Sequence, residues 1–448
     1  MLKTVKDKMF KCWHIIAGFC ENHALFCMVV ITLLYTGHAF TYIANTDILD
    51  FDFLWTEWIR DNGFLNIYHM EGSETVSGIN YPPMYPFVLY LISDIIKGGY
   101  DQITQICLFS FQVVMFIAAE IYFYLKISKK VALLWTTCLP FLFNVFCWGQ
   151  RDAIFAFFII LMFINIEKHK VYRVVFWFTM LCLLKPQGAL LLPILLLYLF
   201  LEHESFKNKV LAFCSGCVIG LLAFLPFIIR ERSILTILNP YLFAGNGMST
   251  INNHASNFWA LLSGCILPSN MRFIIPLTFL IIIPVLFIMY KMTKDFQLSC
   301  FVYMFTMFMF AFGQLERYIL YCFAILFFML FISDNKEKYV KFGKCYKFLY
   351  IVSFLSQFIV HFILEMSYWL FIKHYPDVCV FDHQVDNHTL LAMYKYVIEK
   401  EPMLNVNIGI MYIVVAALSF VTIYTYLYMY TLIFNKNDKT IIDKTLEK

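Results

Sequence analysis

The feature that most constrains the fold of this chain is a series of long apolar stretches. The 448 residues are 61% hydrophobic and only 14% charged, whereas soluble domains carry about 25% charged residues. A bilayer core takes about 20 apolar residues per helix. By that measure, helical spans are predicted at 24–43, 104–125, 131–147, 152–166, 171–184, 188–201, 210–229, 272–292, 296–313, 318–333, 347–372 and 404–434. The chain is therefore predicted to be an all-α polytopic membrane protein with about 11–13 transmembrane helices.

Lys and Arg residues predict which ends of these helices face the cytoplasm. If the amino terminus lies inside, most of the 34 Lys and Arg residues fall on the inner connections, as the positive-inside rule requires. Both termini are then cytoplasmic, and 435–448 is a cytoplasmic tail. No basic patch exceeds what these inner connections need, so we expect no nucleic-acid partner.

The same topology collects the polar segments on the outer side of one membrane domain, 1–448. Its outer loops are 47–103, 230–271 and 373–403. Within the first of them, 83–97 is apolar but too short and Pro-rich to span, so we expect short interfacial helices there. Almost no charged residue is predicted to lie mid-membrane, and Glu120 and Glu365 are the exceptions. This distribution favours chemistry at the outer face over transport through the bilayer.

Two aspartates in the first outer loop are the candidate catalytic bases. Asp50 and Asp52 precede Trp55 and Trp58, and partial burial among aromatic rings would raise a carboxyl pKa towards a useful range. The residues themselves leave Asp50 and Asp52 as rivals for this role. An interfacial loop with an aromatic belt is the structural alternative.

Five further motifs on the outer side are candidates for binding a phosphate or a sugar. An Arg fork or a Lys suits phosphate oxygens, and amides with aromatic rings suit sugars. A rigid turn, a helix connection or a local ion pair would explain the same residues without a ligand. The candidates are Tyr81, Tyr85, Gln150, Arg151, Asp152, Lys185, Gln187, Asn257, Trp259, Glu316 and Arg317.

Cysteine chemistry is not indicated by the spacing of the 14 cysteines. Cys214 and Cys217 form a CxxC pair inside a hydrophobic segment that also carries Gly216 and Gly220. We expect these small residues to allow close helix packing rather than redox chemistry. No group of residues has the spacing of a metal site, so no cofactor is predicted; a divalent metal would be compatible with the chemistry below but is not required.

The order of these motifs resembles a known family. An acidic residue eight positions before Trp58, then YPPMY at Tyr81–Tyr85, WGQRD at Trp148–Asp152, KPQ at Lys185–Gln187, HASNFW at His254–Trp259 and ERY at Glu316–Tyr318 resemble the bacterial mannosyltransferase-like membrane proteins related to the GPI mannosyltransferases. These belong to the GT-C class of glycosyltransferases. Family members often carry a His just before the ERY, where this chain has Leu315. Arg317 is therefore the favoured functional residue of this motif.

The resemblance implies a GT-C-like fold and a sugar transfer at the outer membrane face. One mannose-like hexose would pass, with inversion, from a polyprenyl-phosphate donor to a lipid-linked or cell-surface glycan acceptor, in a bacterial cell membrane or, in a eukaryote, the ER membrane. The first-loop Asp would be the base, with Asp50 favoured by its spacing to Trp58 and Asp52 as its rival. Arg317 and Lys185 would stabilise the leaving phosphate, and Gln150 with Asp152 would orient the sugar or the base. The alternatives are a polysaccharide polymerase or ligase that uses a lipid-diphosphate oligosaccharide, and a lipid or sugar transporter.

Overall fold

The computed structural model describes the chain in nine stretches. They are 18–41, 48–69, 79, 81–96, 101–238, 240–241, 251–262, 274–374 and 402–435. Within them, only the backbone is described for 49–50, 69, 236–237, 253, 275–276, 364–374 and 402–408. The predicted tail 435–448 and most of the loop 373–403 therefore lie outside the described residues.

These stretches are almost entirely helical. In chain order the α-helices are α1 (Ala24–Thr41), α2 (Leu54–Asn62), α3 (Met84–Ser93), α4 (Gln102–Lys126), α5 (Lys129–Thr136), α6 (Leu139–Leu142), α7 (Asp152–Glu167), α8 (Val171–Leu184), α9 (Leu192–Leu201), α10 (Phe206–Glu231), α11 (Ile274–Thr293), α12 (Phe296–Phe310), α13 (Ile319–Phe331), α14 (Lys336–Tyr339), α15 (Gly343–His374) and α16 (Pro402–Phe434).

Shorter elements fill many of the connections. Two π-helices cover Ile48–Phe53 and Phe143–Cys147, and 3₁₀ helices cover Phe64–His69, Pro186–Leu191, Ile234–Leu238, Phe258–Leu262, Glu316–Tyr318 and Val340–Phe342. The two short strands, β1 (Asn252–Asn253) and β2 (Gln314–Leu315), pair in parallel. This pairing joins two connections that are distant in sequence.

The helices confirm an integral membrane protein. A helix lies at each of the twelve predicted segments, and five of the described helices are long and apolar enough to cross a bilayer, or six if the bent pair at 129–147 is one span. Several others, including α8 and α12, are apolar but shorter. The predicted number of transmembrane helices, the GT-C-like fold and the orientation stay predictions. At 83–97 the chain forms only the ten-residue helix α3.

Two apolar helices run through the centre of the bundle. Every residue of α7 from Asp152 to Ile166 is buried, and so is α13 from Ile319 to Met329. A helix that is hydrophobic all round has no solvent face and packs inside other helices. α7 packs on α8 and α13, so its first residue, Asp152, begins inside the bundle.

The close packing predicted around the CxxC pair is present at one of its two glycines. A Cβ on Gly216 would lie 2.5 Å from Val175 Cγ1, so α10 approaches α8 through this position. Gly220 has open space around it. Cys214 and Cys217 are free and exposed. The packing explanation is therefore confirmed for Gly216 only.

A buried carboxyl ties three helices together away from the outer-loop motifs. Glu120 of α4 accepts hydrogen bonds from Thr32 of α1 over 2.8 Å and from Thr136 of α5 over 2.7 Å. The predicted acidic residue inside a span is thus surrounded by hydroxyl donors. The side chain of Glu365 lies outside the described residues.

Candidate functional site

The first polar cluster centres on Asp52, which lies in the π-helix Ile48–Phe53. Its carboxylate is fully buried, and Arg151 donates from Nη1 to Oδ2 over 2.6 Å. The hydroxyl of Tyr85 donates to the same oxygen over 2.7 Å. Burial raises the pKa of Tyr85 well above its ordinary value, so the phenol keeps its proton and remains a donor. We call these three residues the Asp52 cluster.

Arg151 stays charged inside this cluster. Burial alone would lower the pKa of its guanidinium, but the neighbouring Asp52 carboxylate contributes in the opposite direction, and the pKa lies well above its ordinary value. The guanidinium also stands 4.0 Å from the ring centroid of Tyr85. Removing a charge from water is costly unless it is paired, and here both the ion pair and the aromatic ring offset that cost.

The preferred base, Asp50, shares the backbone turn of Asp52. Its backbone lies in the π-helix Ile48–Phe53, whereas its side chain is outside the described residues, as is all of Asp47. The choice between Asp50 and Asp52 therefore stays a prediction. The structure adds that Asp52 already accepts hydrogen bonds from two donors, Arg151 and Tyr85.

The WGQRD turn is built for a close approach of two helices. Gly149 has φ +63°, and a Cβ there would lie 2.6 Å from Ile48 Cδ1, so only glycine fits without displacement. Gln112 donates to the Gly149 carbonyl over 2.9 Å. Asn144 Oδ1 accepts from the amide of Ala153, in the first turn of α7. These contacts fix the direction in which Arg151 and Asp152 leave the turn.

The second polar cluster centres on Asp152, the first residue of α7. Lys185 Nζ donates to Oδ1 over 2.6 Å, and the hydroxyl of Tyr321 donates to the same oxygen over 2.5 Å. Arg317 Nε lies 3.4 Å from Oδ2. A fully buried carboxylate is thus held between two cations, and we call these four residues the Asp152 cluster. Buried ion pairs add little net stability on average, so a set of this size is more typical of a functional site.

Proline chemistry explains how Lys185 enters the cluster. A residue before proline is driven out of the helical region, and Lys185 is extended, with φ −145° and ψ 146°, between α8 and Pro186. The break turns its side chain inward, where only 2% of it is exposed. A local ion pair, the alternative to phosphate binding at this residue, is therefore present, and its carboxylate belongs to Asp152.

Tyr81 connects the two clusters. The Arg151 guanidinium lies 4.9 Å from the ring centroid of Tyr81, and Lys185 Nζ lies 5.8 Å from it. Both cations are buried, whereas Tyr81 is partly exposed. The ring of Tyr81 is therefore a surface through which a ligand could contact both clusters.

Arg317 is the most accessible cation of the Asp152 cluster. Its side chain is 14% exposed, and its Nη1 donates to Glu316 over 2.9 Å. The guanidinium also lies 5.3 Å from the ring centroid of Trp148. The local Glu316–Arg317 ion pair, weighed above as the alternative to phosphate binding, is present together with the contact to Asp152.

An apolar cavity of about 400 Å³ lies beside the Asp152 cluster. Two stacked rings, Tyr318 and Tyr321, form part of its wall, with centroids 5.5 Å apart and planes 20° apart. Gln187 lines it too, and donates to the Tyr318 hydroxyl over 2.7 Å. Ligand pockets commonly have volumes of about 300–1,000 Å³, so the cavity is large enough for a small apolar group.

The cavity extends from Tyr321 of the Asp152 cluster towards the side of the bundle. Its other walls come mainly from α9, α11 and α12. The lining residues Leu192 and Leu280 also expose 38% and 60% of their surface, so the cavity reaches the apolar surface that these helices present outside. The cavity thus meets the Asp152 cluster through Tyr321, which belongs to both, and its far side is continuous with an apolar exterior.

The amide-rich loop packs against the same region through backbone contacts. Asn257 Nδ2 donates to the Phe308 carbonyl over 2.9 Å, and Trp259 Nε1 donates to the Phe310 carbonyl over 3.0 Å. Asn257 Oδ1 also accepts from the Trp259 amide. These predicted sugar-binding groups are therefore used to dock the loop on the end of α12.

Gln150 is buried in the WGQRD turn, and its backbone N–H donates to the Asn144 carbonyl over 2.8 Å. The candidate residues with described side chains thus gather at one end of the bundle, in the two clusters and the loop beside them. Sequence analysis missed Tyr321, although it follows Tyr318 by three residues and so lies on the same helical face.

Within the described residues, no group of three or more His, Cys, Asp or Glu side chains is arranged to hold a metal ion. No protein-family model matches the chain, and no curated protein matches it. The site must therefore be interpreted from its own geometry.

Proposed function

We propose that this protein is an inverting membrane glycosyltransferase that moves one sugar, a mannose-like hexose, from a polyprenyl-phosphate donor to a lipid-linked or cell-surface glycan acceptor at the outer face. One observation carries the proposal: the buried Asp152 cluster, with its cations Lys185 and Arg317, adjoins an apolar cavity that reaches the side of the bundle. A ligand with an anionic headgroup and a long apolar tail matches both the cations of the cluster and the apolar cavity.

The two cations account for the leaving group. When the glycosidic bond to phosphate breaks, the polyprenyl phosphate departs with the bonding electrons and gains negative charge. Positive groups fixed in place before the reaction lower the barrier to such a charge shift. Arg317 reaches the surface of the site, while Lys185 is held by Asp152. Asp152 is thus a positioning residue that keeps both cations in place.

The first loop supplies the base. The acceptor hydroxyl attacks the anomeric carbon, a new carbon–oxygen bond forms, and the hydroxyl proton passes to a carboxylate. We assign this role to Asp50, because Asp52 is fully buried and already accepts from Arg151 and Tyr85. Asp52 then positions Arg151, and Tyr81 offers its partly exposed ring to the sugar.

A donor panel tests this proposal. The purified protein is mixed with a glycan acceptor and with radiolabelled hexose on polyprenyl monophosphate or, separately, with a polyprenyl-diphosphate oligosaccharide. We expect transfer from the monophosphate donor and competition by bare polyprenyl phosphate. Transfer from the diphosphate donor alone would establish the polymerase or ligase alternative. Movement of a labelled lipid or sugar across proteoliposomes without transfer would establish a transporter.

A further inference from the structure

His254 has an unusual backbone conformation and pairs with the segment that carries Arg317. Its φ is +63°, in the left-handed region that few residues other than glycine adopt. It follows β1 and forms an antiparallel bridge with Leu315, the residue before Glu316 and Arg317. The pairing of β1 with β2 holds His254 in this conformation beside the segment that carries Arg317.

The imidazole of His254 is not used by the fold. Its ring packs against Tyr412 of α16, with centroids 5.8 Å apart, and the residue is partly exposed. Within the described part of the chain, its ring nitrogens make no hydrogen bond. Residues held in this sparsely populated backbone conformation cluster at functional and ligand-binding sites.

Among the residues that the structure describes, few charged groups lie on the elements that pack against His254. On the β2 side, Glu316 and Arg317 follow Leu315 and pair with each other over 2.9 Å. On the α16 side the ring meets the Tyr412 phenol. Burial lowers the pKa of His254 below its ordinary value of 6.5, so the free protein carries a neutral imidazole near pH 7.

We propose that His254 is a further residue that binds the donor phosphate, alongside Arg317. The inference rests on the proposed function for the identity of its ligand. A neutral imidazole donates one N–H to a phosphate oxygen, and a protonated imidazole adds a positive charge beside the anion. Donor binding therefore favours the protonated form and is coupled to proton uptake.

This coupling gives a pH dependence with a defined sign. The donor is a phosphodiester with one negative charge across pH 5.5–8, so the titration belongs to the protein. Because the bound anion raises the pKa of His254 relative to the free protein, binding becomes tighter as the pH falls from 8 to 5.5. Above that range the neutral N–H still contributes a hydrogen bond, but the charge is absent.

The test measures the dissociation constant of radiolabelled polyprenyl-phosphate hexose at pH 5.5 and pH 8. His254→Gly removes the ring, and His254→Asn keeps an N–H donor that does not titrate; both residues tolerate the left-handed backbone. His203→Asn, at an exposed position outside the site, is the matched control. A thermal melt of each variant shows that it is folded.

We expect wild type and His203→Asn to bind the donor more tightly at pH 5.5 than at pH 8. His254→Gly should bind about tenfold or more weakly at pH 5.5, and His254→Asn should lose the pH dependence. If folded His254→Gly keeps both the affinity and the pH dependence of wild type, the inference is wrong and the proposed function stands. If wild type binds no polyprenyl-phosphate hexose, the proposed function fails and the inference fails with it.

Discussion

Asp152 Oδ1 is the atom on which the candidate site depends most. It accepts hydrogen bonds from Lys185 and Tyr321, while Arg317 approaches the other carboxylate oxygen. None of these partners is near it in sequence. Asp152 is the shared contact of three chain segments, and its negative charge is what makes two cations tolerable in the same buried volume.

Replacing Asp152 with Asn should therefore destabilise the protein strongly. The change leaves Lys185 buried without its counter-charge, and breaking one partner of a buried ion pair costs about 3–5 kcal/mol. Tyr321→Phe removes only one hydrogen bond and should cost about 1 kcal/mol. Thermal unfolding of the purified variants in one detergent measures both. Equal melting temperatures for Asp152→Asn and Tyr321→Phe would contradict this assignment of charge.

The residue types of the site could be predicted from sequence, but their pairing could not. Lys185 and Asp152 were both among the residues predicted to bind a phosphate or a sugar, with a local ion pair as the alternative. Which carboxylate meets which cation depends on how α7, α8 and α13 pack, and Asp152 is distant from both cations in sequence. No local spacing predicted that Tyr85 and Arg151 would donate to the same oxygen of Asp52 either.

At the scale of elements, one glycine sets the distance between α8 and α10. A Cβ on Gly216 would lie 2.5 Å from Val175 Cγ1 and 2.8 Å from Thr179 Oγ1, whereas a Cβ on Gly220 would meet nothing within 4 Å. Both glycines belong to the same GxxxG spacing and the same helix, so they are a matched pair.

We expect Gly216→Ala to lower the melting temperature, because α8 and α10 must separate or repack, a change that costs about 1–3 kcal/mol. Gly220→Ala should be neutral or slightly stabilising, because alanine favours a helix by up to about 1 kcal/mol over glycine. Thermal melts of both variants and of wild type measure the two changes in melting temperature. A larger loss for Gly220→Ala than for Gly216→Ala would refute the packing of these two helices.

The helices themselves follow from the sequence more directly than their number of crossings. Apolar length predicted a helix at each of the twelve segments, and a helix is present at each. Hydropathy does not tell whether an apolar surface faces lipid or other helices, and α7 and α13 face protein on all sides. Short buried helices and long exposed helices therefore both appear in the sequence as apolar stretches.

At the scale of the whole molecule, the proposed chemistry depends on the predicted orientation of the protein in the membrane. Leu65, in the 3₁₀ helix Phe64–His69, is 43% exposed, and Lys168, beyond the end of α7, is exposed. The positive-inside distribution predicts that Leu65 is outside and Lys168 inside.

In a background without native cysteines, a membrane-impermeant maleimide should label Leu65→Cys in intact cells and label Lys168→Cys only after the cells are opened. The second variant is also the control for leaking cells. Labelling of Lys168→Cys alone in intact cells would invert the topology and move the candidate site to the cytoplasmic face.

The most direct test of the proposed chemistry is hexose transfer by wild type, Asp50→Asn and Asp52→Asn, measured with a radiolabelled polyprenyl-phosphate hexose. We predict that wild type transfers the sugar and that Asp50→Asn lowers kcat by about 10²-fold or more, with donor affinity and melting temperature unchanged. Asp52→Asn should lower both activity and melting temperature, because it leaves Arg151 buried without its carboxylate. Full transfer by both variants, or no transfer by wild type from any polyprenyl-phosphate hexose, would contradict the account.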